Sequence, residues 1–194
     1  MVTVDALVAD ILHYRAYLKA SGGGVTVTGG EPLMQPKFVA ELMRSCQAEG
    51  LHTALDTSGF SDLAAAQQVL PYADLVLLDI KSFQPELYHT VTHVDLKPTL
   101  RLARHLQAMQ KPTWIRFVLV PGLTDAPDNV AALAEFVSTL TNVERVEVLP
   151  FHQMGAYKWE ALGYDYSLQE MQPPPPEQVE QVKAQFQNYG LRVY

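Results

Sequence analysis

Five short runs rich in β-branched and aliphatic residues recur along the chain, at Val25–Thr28, Thr53–Asp56, Leu75–Ile80, Trp114–Val120 and Val143–Leu149. Stretches of helical period separate them. The intervals are those of βαβ units, so the chain is constrained to a mainly parallel sheet with outer helices. The runs are nearly continuous in apolar residues, which predicts strands covered on both faces. Helices are expected after Thr3, a suitable N-cap, with Val4, Leu7, Val8, Ile11, Leu12 and Leu18 on one stripe. Another carries Phe38, Val39, Leu42, Met43 and Cys46, with Pro36 near its start and Gly50 at its end. Further helices are expected at Asp62–Leu70, Lys97–Gln110, Ala126–Leu140 and Glu177–Tyr189. The four prolines Pro173–Pro176 read as an extended connector to the last of these. No domain boundary interrupts residues 1–194. The order opens with a helix where parallel α/β folds usually open with a strand.

Charge and cysteine usage exclude several classes. Lys plus Arg is 14 against 21 Asp plus Glu, a net charge of −7, with no basic run. That argues against nucleic-acid and anionic-membrane partners. No apolar stretch reaches the roughly 18–20 residues a membrane span needs. A single cysteine, Cys46, permits no internal disulfide and no CxxC-type metal site made by this chain. A reducing, cytoplasmic setting is the expectation.

In parallel α/β folds the ligand meets the loops that follow the strands. Here those loops read Thr28-Gly29-Gly30-Glu31-Pro32, Asp56-Thr57-Ser58-Gly59, Asp79-Ile80-Lys81, Pro121-Gly122 after a strand carrying Arg116, and Pro150-Phe151-His152. Adjacent strands would gather these groups at one mouth, suited to a small polar ligand. Each also has a structural reading. Gly29-Gly30-Glu31-Pro32 is a tight turn with a capping glutamate, or bare backbone beside a carboxylate that takes a ligand ammonium. Asp56 and Thr57 are a helix cap or a ligand contact. Asp79 and Lys81 are an ion pair, or a ligand pair on one side of a strand. Arg116, inward on an apolar strand, requires an anionic or carbonyl partner. His89 and His93 have helical metal spacing, but Thr90-Val91-Thr92 is a poor helix and no third ligand is near.

Taken in order, Ser21 to Pro32, Leu55 to Phe60, Leu78-Asp79-Ile80-Lys81, Trp114 to Gly122 and Leu149 to Gly155 with Lys158-Trp159 resemble the pyruvate formate-lyase activating enzymes. These are members of the radical S-adenosylmethionine (SAM) superfamily. The resemblance covers essentially the whole chain. It implies an incomplete (β/α)₆ partial barrel with its first strand lacking. It implies SAM and a [4Fe-4S] cluster as cofactors, a glycyl radical enzyme such as pyruvate formate-lyase as partner, and flavodoxin or ferredoxin as electron donor. In the family, SAM on the cluster yields a radical that removes hydrogen from a backbone glycine. By resemblance, Gly29, Gly30 and Glu31 contact the SAM amino group and Lys81 its carboxylate. Asp56, Thr57 and Asp79 stand beside that carboxylate, with oxygens for a monovalent cation. Val118 and His152 lie along the nucleoside, and Arg116 faces the substrate glycine loop or nearby carboxylates. The family's CxxxCxxC motif does not occur in this sequence. The chain therefore resembles an activase without its amino-terminal part, expected to hold no cluster and to be inactive alone. Two other readings carry forward: a non-catalytic SAM-, nucleoside- or partner-binding module, and a barrel enzyme using Asp79, Lys81 and His152 in acid–base chemistry.

Overall fold

The computed structural model describes residues 2–194. Five strands, β1 (Gly24–Val27), β2 (His52–Thr57), β3 (Leu75–Asp79), β4 (Thr113–Leu119) and β5 (Val143–Pro150), form one sheet. Their spatial order is their chain order and every pair is parallel. All five expected strands are present within two residues of their predicted ends. Residues 192–194 add a short parallel pairing to β5, with Val148 N–H donating to the Tyr194 carbonyl at 3.0 Å.

Right-handed crossovers between strands in sequential order place the connecting helices on the same side. The sheet is therefore covered on one face, and the expectation of two covered faces is corrected. β4 shows the consequence. Thr113, Ile115, Phe117 and Leu119 are buried, while Trp114, Arg116 and Val118 between them are half-buried. Ile115, Phe117 and Leu119 pack with Leu55, Val76, Leu78 and Val146 against the helices. Phe117 meets Phe186 edge-on, ring centroids 5.8 Å apart. The other face carries the charged side chains.

The helices are α1 (Val4–Leu12), α2 (Arg15–Ser21), α3 (Pro36–Ala48), α4 (Leu63–Val69), α5 (Pro85–Thr92), α6 (Lys97–Ala108), α7 (Pro127–Ser138), α8 (Ala156–Ala161) and α9 (Pro176–Gln187). Thr3 caps α1 by accepting from Ala6 N–H at 3.3 Å. The first predicted stripe is divided, because the helix breaks between Leu12 and Arg15. Both halves still cover a small apolar cluster with Leu42, Cys46 and Leu51. Asp62, not Asp56 or Thr57, caps α4, accepting from Ala64 N–H. α5 is a correction: Thr90-Val91-Thr92 is helical, driven by the complete burial of Tyr88. Tertiary packing overrides the weak local propensity there. Pro175 is extended and Pro176 opens α9, as the proline run predicts.

Candidate active site at the strand ends

The loop after β1 is held by Glu31. Its Oε1 accepts from Leu33 N–H at 3.0 Å and from Thr57 Oγ1 at 2.6 Å; its Oε2 accepts from Ser58 N–H at 3.0 Å and Ser58 Oγ at 2.6 Å. A carboxylate has about four acceptor positions, and all are taken. Glu31 thus caps the turn that follows it, as the structural reading has it, and also ties this loop to the end of β2. Gly29 stands at φ +113°, a conformation that L side chains rarely adopt. A Cβ on Gly29 or Gly30 would meet no protein atom within 4 Å, so the backbone there borders open space. Gly59 closes the β2 loop at φ +72°. A Cβ on it would lie 3.1–3.2 Å from Leu102, Leu78 and Thr99. Thr99 Oγ1 donates to the Ser58 carbonyl at 2.7 Å and pairs with Tyr88 Oη at 2.9 Å. Burial pushes the Tyr88 hydroxyl pKa up.

Across the uncovered face runs a charged row. Asp79, Arg116 and Glu147 are register partners on β3, β4 and β5. Arg116 Nη1 donates to Asp56 Oδ2 at 2.7 Å, and Thr28 Oγ1 donates to the same oxygen at 3.1 Å. Arg116 Nε stands 4.0 Å from Asp79 Oδ1 and 3.8 Å from Glu147 Oε2. Neither Arg116 Nε nor Asp79 Oδ1 has a hydrogen-bond partner among the described residues, though both are buried. The other Asp79 oxygen accepts from Lys81 Nζ at 2.7 Å. Glu147 also pairs with Arg145, whose guanidinium stacks 3.2 Å from the Trp114 ring centroid. The partner that an inward arginine requires is therefore carboxylate, supplied from both neighbouring sides.

Above this row lies a cavity of about 470 Å³ bordered by Gly29, Gly30, Asp56, Asp79, Lys81 and Lys158. The size suits a small-molecule site. Thr57 and Ser58 also reach its wall. Of the expected site residues, the structure brings Gly29, Gly30, Asp56, Thr57, Asp79 and Lys81 to this one cavity. Glu31 stands behind its wall, and Arg116 is engaged with Asp56. Val118 and His152 lie at the ends of β4 and β5 and do not border it; His152 Nδ1 accepts from Met154 N–H at 3.3 Å. An acid–base group of Asp79, Lys81 and His152 is thus not assembled here. Sequence reasoning missed Glu147 and Arg145, and it gave no role to Ser58 and Lys158, which stand in the motifs quoted above. Glu147 could be found only by placing β5 in register beside Arg116.

Asn129 supports the Lys81 loop from behind. Fully buried, its Oδ1 accepts from Ser82 Oγ at 2.8 Å and Phe83 N–H at 2.9 Å, while its Nδ2 donates to the Thr124 carbonyl at 2.8 Å. The loops after β3 and β4 are thereby fixed to one side chain.

These residues fit SAM: open glycine backbone, a lysine and two carboxylates surround a cavity of suitable size. They do not fit a [4Fe-4S] cluster. Cys46 is 1% exposed on α3 among Leu42 and Leu51, and burial pushes its thiol pKa up. Among the described residues, no group of three His, Cys, Asp or Glu could hold a metal ion. Among the described residues, His89 and His93 gain no third ligand. No helix among the described residues is long and apolar enough to cross a membrane.

Comparison with known proteins identifies the family and the fold. Residues 2–136 match the Radical SAM superfamily. The chain is 40% identical over 194 residues to the pyruvate formate-lyase 1-activating enzyme of Escherichia coli K12, covering 99% of this chain and 79% of the relative. It is 44% identical over 184 residues to the pyruvate formate-lyase-activating enzyme of Staphylococcus aureus USA300, covering 92% and 73%. Among solved structures, a domain of pyruvate-formate lyase-activating enzyme from Bacteroides vulgatus superposes with a TM-score of 0.75 at 28% identity, covering 89% of this chain and 98% of that one. A radical SAM methyltransferase from Sphaerobacter thermophilus shares the fold, with a TM-score of 0.76 at 14% identity over 100% of this chain and 57% of that one. The parallel sheet with outer helices is the radical SAM partial barrel, and the chain belongs to the pyruvate formate-lyase activating enzyme family of the radical SAM superfamily.

Proposed function

We propose that these 194 residues form the part of a glycyl-radical-enzyme activase that holds SAM and presents it to a polypeptide, pyruvate formate-lyase. The observation that carries this is the meeting of Lys81, Asp56, Asp79 and the Gly29-Gly30 backbone at one cavity. SAM brings an α-ammonium and an α-carboxylate. The ammonium sits against the Gly29-Gly30 backbone in the loop that Glu31 shapes. The carboxylate meets Lys81, whose ammonium Asp79 already orients. The open acceptor on Asp79, with Asp56 and Thr57, suits a monovalent cation beside that carboxylate. Val118 and His152, farther along the rim, take the nucleoside. Arg116 acts through Asp56 and Asp79 by balancing their charge. SAM held here would supply the hydrogen-abstracting 5′-deoxyadenosyl group only when an electron reaches it from a cluster that these residues do not ligate.

The cluster is not ligated by these residues, so they bind SAM weakly and do not cleave it alone. Each charge-assisted contact contributes about 1.5–3 kcal/mol, against an association cost of about 4 kcal/mol or more. Calorimetry with SAM tests the site. Affinity weaker than about micromolar is expected, further weakened by Lys81→Ala and Gly30→Val. Binding indifferent to both substitutions overturns the assignment. Iron and sulfide reconstitution should leave the protein colourless.

The single buried thiol favours a second reading, a non-catalytic module that binds SAM or the partner enzyme. A glycyl radical detected by electron spin resonance on pyruvate formate-lyase, once this chain is joined to a CxxxCxxC segment and reconstituted with iron and sulfide in the presence of SAM and a reductant, excludes it.

A further inference from the structure

The segment from Gln153 to Met171, which contains α8, is folded chiefly on itself. Gln153 Nε2 clips its base, its two N–H groups shared among the carbonyls of Leu168, Gln169 and Met171 at 2.8, 3.0 and 2.8 Å. Its body is aromatic. Trp159 meets Tyr164 edge-on, centroids 6.4 Å apart, and lies tilted on Tyr166 at 5.6 Å. Its outer surface is unusual for a chain of net charge −7. Met154, Tyr157, Leu162 and Tyr164 are 64–72% exposed, and Trp159 is 45% exposed. Isolated exposed apolar side chains are ordinary, but a contiguous group marks an interaction surface. No such group is needed to stabilise the barrel, whose core lies on the other face of the sheet.

Position identifies the occupant. Lys158 borders the strand-end cavity beside Asp79 and Lys81, and it also borders an apolar cleft of about 240 Å³ with Trp159, Leu162 and Tyr164. The exposed surface is thus continuous with the rim of the site. A second cleft of about 410 Å³ lies among Tyr157, Tyr164 and Tyr166, with Glu160 and Asp165 on its walls. A backbone glycine of a folded enzyme cannot enter a 470 Å³ cavity with its whole chain. The segment bearing it must lie across the rim and draw affinity from side chains that never react.

We propose that residues 153–171 form the docking surface for the polypeptide substrate. One apolar side chain of the approaching segment fills the cleft between Trp159 and Leu162. A second, with a cationic end, enters the cleft walled by Glu160 and Asp165. This assignment rests on the activase reading above, and its closing experiment separates the two.

Trp159 is its own reporter, since the chain has only one other tryptophan, Trp114. In the full chain carrying Trp114→Phe, pyruvate formate-lyase from the same host should lower acrylamide quenching of Trp159 at least twofold and shift its emission to the blue. Leu162→Ser and the double charge reversal Glu160→Lys with Asp165→Lys should each weaken that binding at least tenfold. Tyr17→Ser, an equally exposed aromatic on α2, should leave it unchanged. Circular dichroism melts confirm that the variants fold, and the charge reversal reports if Leu162→Ser does not. Binding by the wild-type chain that all three variants retain within twofold overturns the docking surface and leaves the activase reading standing. Failure of the wild-type chain to bind pyruvate formate-lyase overturns both.

Discussion

Thr57 Oγ1 donates to Glu31 Oε1 at 2.6 Å, joining the end of β2 to the loop after β1. With the two contacts from Ser58, this makes the glutamate a clasp across two strand ends. The glycines it holds stay open to the cavity because the clasp, and not their own side chains, defines the turn.

Glu31→Ala should lower unfolding free energy by about 2–3 kcal/mol, because it strands donors that now meet a charged acceptor. Glu31→Gln should cost less, since one oxygen and the side-chain shape remain. Urea melts of the two variants measure the difference, and equal stability of wild type and Glu31→Ala would refute the clasp.

Arg116 is the cation at the centre of Asp56, Asp79 and Glu147, all three carboxylates no more than 21% exposed at the side chain. Arg116→Met should therefore destabilise by about 2–3 kcal/mol, reduced from the fully buried case by residual solvent contact. Adding Asp56→Asn should cost less than the sum of the two single changes, since the residues touch. A double-mutant cycle by chemical denaturation gives the coupling; strict additivity is the contrary result.

Asp74 sets an acid limit. Burial pushes its carboxyl pKa up, but hydrogen bonds from Thr53 N–H and Oγ1 and from Gln47 outweigh that and hold it below the ordinary 3.8. The ionised form is favoured in the fold. Its stabilisation is complete above the unfolded-state value and is lost as pH falls through the lower folded value. Between about pH 5 and pH 2, wild-type stability should fall more steeply than that of Asp74→Asn. Parallel pH curves for the two proteins would contradict this.

Cys46 should be inert while the chain is folded. Its thiol is 1% exposed and its pKa is raised by burial, so little thiolate meets reagent. Ellman's reagent should react slowly in buffer and rapidly in urea, with one thiol per chain in urea. Fast labelling of the native protein is the opposing outcome.

The strands were legible because each is a compact apolar run between turn residues, and Asp56, Asp79 and Lys81 because they stand where those runs stop. Other elements depend on what lies far away in sequence. α5 carries β-branched residues that oppose a helix locally; it forms because Tyr88 is buried, and Thr92 Oγ1 turns back to the Tyr88 carbonyl at 2.6 Å. Glu147 sits inside Val143–Pro150, not at its end, so only the β4–β5 register reveals it as a neighbour of Arg116. Glu31 is conspicuous in sequence, yet the saturation of its carboxylate depends on Ser58, which reaches it only when β1 and β2 are parallel and adjacent.

One-sided covering of the sheet divides the labour within each strand by parity. Along β4, Ile115, Phe117 and Leu119 face the helices, and Trp114, Arg116 and Val118 face the open side. A saturation scan across this strand, scored once for abundance and once for ligand capture, should give two interleaved profiles of period two. Ile115, Phe117 and Leu119 would accept only apolar residues of similar volume. Even-numbered positions other than Arg116, whose charge three carboxylates require, could drift in chemistry while the fold persists, giving descendants of such a chain room to change what they hold without relearning how to fold.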